Sequence, residues 1–130
     1  MVDVEYGDGP RQARVTEDEL EVLLDRIADE ARREGKPQDV QVRVETAGTL
    51  GIVVGAGWSV LNHVPADLDP PYMVTVASDQ SDEPVAFYVA GNHYSETLRR
   101  NTITPEAARA AMQHFVATGQ LSPDVTWEEV

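Results

Sequence analysis

The amino-acid sequence predicts an α+β fold, a largely antiparallel sheet with two amphipathic helices packed on one face, in a single domain over residues 1–130. Three observations lead there. Short runs with period-two alternation of apolar residues fill the middle of the chain. A segment with helical period and full capping signals lies near each end. The connections between them are short, and no linker divides the chain.

In order along the chain, "VDVEY" sets Val2, Val4 and Tyr6 against Asp3 and Glu5, a strand with one buried face. "GDGP" reads as a turn and "RQARV" as a short returning strand. At Thr16 the period changes. "TEDE" is a capping box, in which the Thr16 hydroxyl accepts from the Glu19 amide and the Glu19 carboxylate reaches back. Leu20, Leu23, Leu24, Ile27, Ala28 and Ala31 then form one apolar stripe, with charges opposite. Gly35 stops that helix and Pro37 prevents its resumption. "DVQVRVE" alternates with Val40, Val42 and Val44 inward, "TLGIVV" follows a turn at "TAG", and "WSVLNHV" is a third strand ended by Pro65. "PADLDPP" is a loop by composition. "YMVTVAS" and "PVAFYVA" read as a hairpin closed by the acidic turn "DQSDE", and "GNHYSETL" as a further turn and an edge strand. The second helix has Thr104 as its cap, Pro105 at the first helical position and Glu106 on the dipole. Its stripe is Ala108, Ala111, Met112 and Phe115, with Val116 at the margin and Gly119 at the stop. "DVTWEEV" closes the chain as a short strand, with Trp127 facing the core.

Folding a chain of 130 residues buries roughly two-thirds of its surface, enough for a core without staples. There is no cysteine, which excludes thiolate chemistry, disulfides and Cys-based zinc sites and suits a reducing cytoplasm. The acidic opening "MVDVEYGDG" is unlike a signal peptide, and the longest apolar-rich stretch is too short to span a bilayer. A soluble, cytoplasmic protein is expected. Ten Lys and Arg against 23 Asp and Glu give a net charge of −13. Between Arg43 and Arg99 there is no basic residue, while Glu45, Asp67, Asp69, Asp79, Asp82, Glu83 and Glu96 all lie there. Such a surface repels nucleic acid and anionic lipid and attracts a basic partner.

Enzyme templates fail one by one. "VVGAGWSV" offers Gly55 and Gly57 of a dinucleotide fingerprint, with Asp79 at a tempting distance, but Val60 stands at the third glycine. Pro65, Pro70 and Pro71 leave no room for the helix that would hold a pyrophosphate. Those glycines are expected to make a bend that redirects Trp58. "GWSVL" lacks the second glycine of a nucleophile elbow. His63, His93 and His114 have no zinc spacing, and "HYSE" is one residue out of register for a deaminase His-x-Glu. Acid pairs leave a glycosidase-like geometry open. No cofactor and no metal are expected, and binding is favoured over catalysis.

"VAFYVAGNHYSE" followed by "ITPEAARAAMQHFVATGQLSPDVTWEEV" resembles the Imm1 family of immunity proteins from bacterial polymorphic toxin systems. The matching residues are Phe87, Tyr88, Gly91, Tyr94, Ser95, Glu96, Ala107, Ala111, Phe115, Gly119 and Trp127, and the first helix has the expected character. One departure is Tyr94, where the family often has Trp. The resemblance implies a cytoplasmic inhibitor that binds a cognate toxin domain, often a nucleic-acid deaminase, and hence a basic partner. On that reading, acidic loops on one edge of the sheet occupy the toxin's substrate groove. The candidate contacts are Asp67 and Asp69 beside the prolines, Asp79, Asp82 and Glu83 in the hairpin turn, Tyr94 and Glu96 as an aromatic and a directed carboxylate, and Trp58 as a second aromatic anchor. Glu96 alternatively satisfies a buried backbone donor or pairs with Arg99 or Arg100. Two other functions stay open: an adaptor or subunit of an intracellular complex, and a small carboxylate-based hydrolase.

Overall fold

The computed structural model describes residues 1–7, 11–78 and 80–130; residues 8–10 of the expected first turn, and Asp79, lie outside them. The elements are β1 (Val2–Tyr6), β2 (Arg11–Val15), α1 (Glu17–Glu34), β3 (Gln38–Val44), β4 (Gly48–Val54), β5 (Leu61–Val64), β6 (Met73–Val76), β7 (Pro84–Val89), β8 (His93–Leu98), α2 (Pro105–Thr118) and β9 (Thr126–Glu129), with a 3-10 turn at Arg99–Asn101 between β8 and α2. The strands form one sheet in the order β2-β1-β3-β4-β5-β6-β9, every neighbouring pair antiparallel. The β7–β8 hairpin branches off it through a single parallel bridge between Gln38 and Tyr88.

Both helices begin and end where their side chains dictate. Glu19 N donates to Thr16 Oγ1 at 3.2 Å and Thr16 N to Glu19 Oε1 at 3.0 Å, so two amides that the first turn leaves open are satisfied. That backbone bond holds the Glu19 carboxyl below its ordinary range. Thr104 caps α2 by accepting from Ala107 N at 3.1 Å, and left-handed Gly35 and Gly119 close the two helices. Their stripes meet one face of the sheet. Leu20, Leu24, Ile27, Met112 and Phe115 pack with Val4, Val40, Val42, Leu50 and Ile52 in one core. Trp127 lies at the margin of that core, its indole N–H donating to Ser122 O at 2.9 Å.

Alternation along β4 sends Val53 to the opposite face. There it joins Val60, Val74 and Phe87 in a second core, with Trp58 and Val89 packed at its edge. The β7–β8 hairpin thus roofs part of the face the helices leave open. Gly55 succeeds β4 at φ +94, and a Cβ there would collide with the Ala31 methyl of α1. The glycine serves close helix–sheet packing. Beyond it come a bend, a bridge of Ser59 to Ile103 and then β5 antiparallel to β4, so the dinucleotide likeness has no phosphate-binding helix.

One pairing differs from expectation. "YMVTVAS" and "PVAFYVA" are strands but not a hairpin: β6 pairs with β5 and β9, while β7 pairs with β8 and touches β3. The cause is a buried polar cluster. Thr75 Oγ1 donates to Asn101 O at 2.9 Å and accepts from Leu61 N at 3.2 Å, and Asn101 Nδ2 donates to Thr75 O at 3.0 Å. These bonds tie β6 to the 3-10 turn and to β5, which leaves β9 as its other partner.

Candidate partner-binding surface

Two acidic loops flank β6, one at each end. At about 3.3 Å per residue, the four-residue strand between them is about 13 Å long. The loop entering β6 is closed by its own backbone. Leu68 N donates to Pro65 O at 3.0 Å, Asp69 N to Asp67 Oδ1 at 2.9 Å, and the Tyr72 hydroxyl to Leu68 O at 2.7 Å. Asp67, Leu68 and Asp69 are all exposed, and Leu68 holds a left-handed φ of 66°. No cation pairs with either aspartate among the described residues.

The loop leaving β6 is built differently. Arg100 Nε lies 3.2 Å from Asp82, Arg99 Nε 3.5 Å from Glu83, and a further Arg100 nitrogen 3.1 Å from Glu128 on β9. The arginines are placed by the 3-10 turn, whose Asn101 amide also donates to Glu128 at 2.9 Å. That bond, helped by Arg100, draws the Glu128 carboxyl below its ordinary range. The loop is stitched down from both ends by Arg99 N donating to Glu83 O and Arg100 N to Ser81 O.

On the outer face of the β7–β8 hairpin, Tyr88 and Tyr94 meet edge to face at 5.8 Å. The Tyr94 hydroxyl donates to Glu96 at 2.7 Å, and this bond to a carboxylate raises the phenol above its usual range. Lys36 Nζ lies over the Tyr88 ring at 5.3 Å and donates to Asn92 at 2.7 Å. Tyr94 is 55% exposed. Glu96 is therefore partnered by Tyr94 rather than by Arg99 or Arg100, which take Glu83, Asp82 and Glu128. Of the residues that carry the family likeness, Tyr94 and Glu96 are the exposed ones, while Phe87, Ala111 and Phe115 are buried. Trp58 is half-buried against the second core.

Three features escaped the sequence. Arg109 clasps the helices, its Nη2 donating to Glu21 at 2.8 Å and Asp25 at 2.9 Å. Leu68 stands out from its loop, and the signal for it was an apolar residue between two aspartates in a proline-bounded segment. Asp39 faces the helix-free side of β3 and is only 8% exposed, beside a cavity of about 170 Å³ that Glu5, Tyr6, Gln41, Val89 and Ala90 also line. Gln41 Nε2 donates to it, over Gly51, where any side chain would press on both. Burial pushes the Asp39 carboxyl up to about 6, the Gln41 bond pulling the other way.

Charge, two exposed side-chain patches and a closed double core describe a protein that presents a surface to another macromolecule. Among the described residues no group of three His, Asp or Glu is placed to hold a metal ion, and no helix is long and apolar enough to cross a membrane. The family model of immunity protein Imm1 matches residues 7–129, and the chain belongs to that family. Its members inhibit toxins and are not enzymes, so the chain's work is the capture of a cognate toxin. A comparison with curated proteins finds no match.

Proposed function

We propose that this immunity protein acts in the cytoplasm on a nucleic-acid deaminase toxin, occluding the toxin's basic substrate site with carboxylates that stand in for phosphates. One observation carries the reading. The stretch from Arg43 to Arg99, free of Lys and Arg between its ends, supplies both loops around β6 and the Tyr94–Glu96 pair. Asp67 and Asp69 meet the toxin's cations directly, since no cation among the described residues neutralises them. Tyr94 provides aromatic area and Glu96 a carboxylate already oriented by it. Asp82 and Glu83 join by exchanging Arg100 and Arg99 for cations of the toxin, a cheap exchange because exposed pairs are worth about 0–1 kcal/mol. Asp79 contributes by its place in the same acidic segment, and Trp58 offers its open edge.

The test is co-expression with the toxin domain encoded beside this chain's gene, followed by titration of the purified pair against salt. Restored growth, a co-purifying complex, suppressed deamination of single-stranded nucleic acid and affinity that falls steeply with ionic strength are expected. Affinity indifferent to salt rejects electrostatic occlusion, and a toxin without deaminase activity rejects the substrate class.

A further inference from the structure

We propose that Leu68 is the apolar anchor of the toxin interface, a side chain that enters an apolar pocket on the toxin rimmed by arginine or lysine. The inference rests on the reading that this chain binds a toxin domain, and it adds which residue holds the centre of the contact.

Leu68 is 71% exposed and belongs to neither core cluster. Its φ of 66° lies in the region that glycine and asparagine enter easily and other residues rarely do. A loop that needed merely to reverse the chain would take one of those two at this point. Leucine here adds strain and gains a place in neither core, and such strain is a mark of sites that act on something outside the fold. The backbone that carries the side chain is also held in place. Its amide is fixed to Pro65 O, its carbonyl to the Tyr72 hydroxyl, and the next residue's amide to Asp67. A loop backbone fixed before binding loses little further freedom on docking.

The surroundings define the occupant. Tyr72, 38% exposed, extends the apolar surface beside Leu68. Asp67 and Asp69 flank it and face no cation among the described residues, so the complementary pocket has a basic rim. An apolar centre inside a polar ring that excludes water is the arrangement of an energetic hot spot. Val22, nearly as exposed at 69%, lacks all of this: it lies within α1 at ordinary helical geometry, and serves as the control.

The experiment uses the full chain and the catalytically inactivated toxin domain encoded beside its gene. Affinity is measured by calorimetric titration for wild type, Leu68→Asn, Leu68→Gly and Val22→Ala, at low and high salt, with thermal unfolding of each. Leu68→Asn and Leu68→Gly should bind roughly 30-fold more weakly or worse, while their melting temperatures stay level or rise as the strain is relieved. Val22→Ala should bind like wild type, and the Leu68 deficit should persist at high salt. Binding by both Leu68 variants within about threefold of wild type overturns the inference, as does a deficit that vanishes at high salt. If wild type itself fails to bind, the toxin reading falls and takes the anchor with it.

Discussion

The loop entering β6 and the loop leaving it both carry acidic residues in an exposed segment, and they are constructed in opposite ways. The first folds on its own backbone and leaves Asp67 and Asp69 without a cation among the described residues. The second is held by Arg99 and Arg100, which take Glu83 and Asp82. Counting acids along the chain treats the loops as equals. The structure shows that charge present and charge available differ, because two arginines from beyond the acid-only stretch fold back onto one loop and not the other.

That contrast has a limiting case in Asp39, a buried carboxyl with no cation paired to it among the described residues, and the largest effect is expected there. Its folded-state value of about 6 exceeds the ordinary 3.8, so between the two the folded protein keeps a proton that the unfolded chain has released. Stability from this group is therefore present at low pH and declines as pH rises through that window, by roughly 3 kcal/mol in all. Asp39→Asn, which can still accept from Gln41, should abolish this slope and raise the urea midpoint at mildly alkaline pH; an unchanged slope would place the dependence elsewhere. Next is the clamp on the second loop. Asn101→Ala strands Thr75 O and loosens Glu128 and the arginines, at a cost of about 1–3 kcal/mol in denaturant unfolding. The loops themselves give the finest comparison. Asp67→Asn with Asp69→Asn should slow toxin association about tenfold at low ionic strength. The charge-neutral pair Glu83→Gln with Arg99→Gln should alter it less than about twofold, and stability by under about 1 kcal/mol. Equal slowing by both pairs in stopped-flow mixing would erase the distinction between the loops.

Much of this fold is legible in the residues. Thr16 with Glu19, Thr104 with Pro105, and Gly35 and Gly119 mark both helices, because caps are local and each cap residue meets a partner within one turn. Strand pairs in chain order, β3 with β4 and β7 with β8, are equally plain. The placement of β6 is not, since it depends on Thr75 meeting Asn101 far along the chain, and polar pairs leave no periodic trace. At the candidate surface, exposure of Asp67, Asp69, Tyr94 and Glu96 comes from composition and alternation. The Tyr94–Glu96 bond is not legible, since charge alone offers Arg99 and Arg100 as partners for Glu96 and those arginines are taken by Glu83, Asp82 and Glu128. Asp39 reads as a solvent-facing residue in "DVQVRVE" because the hairpin end that covers it comes from elsewhere. Leu68 reads as incidental because a backbone angle is not written in a residue's name.

The branch in the sheet has a consequence of its own. The β7–β8 hairpin is joined to the main strands by one backbone bridge at Gln38 and Tyr88, and gripped from beneath through Phe87 and Val89. Of its outward side chains, Tyr94 and Glu96 bond to each other and enter neither core. Substitutions at Tyr94 and Glu96 should therefore leave the helices and central strands in their shape, since neither residue belongs to a core cluster.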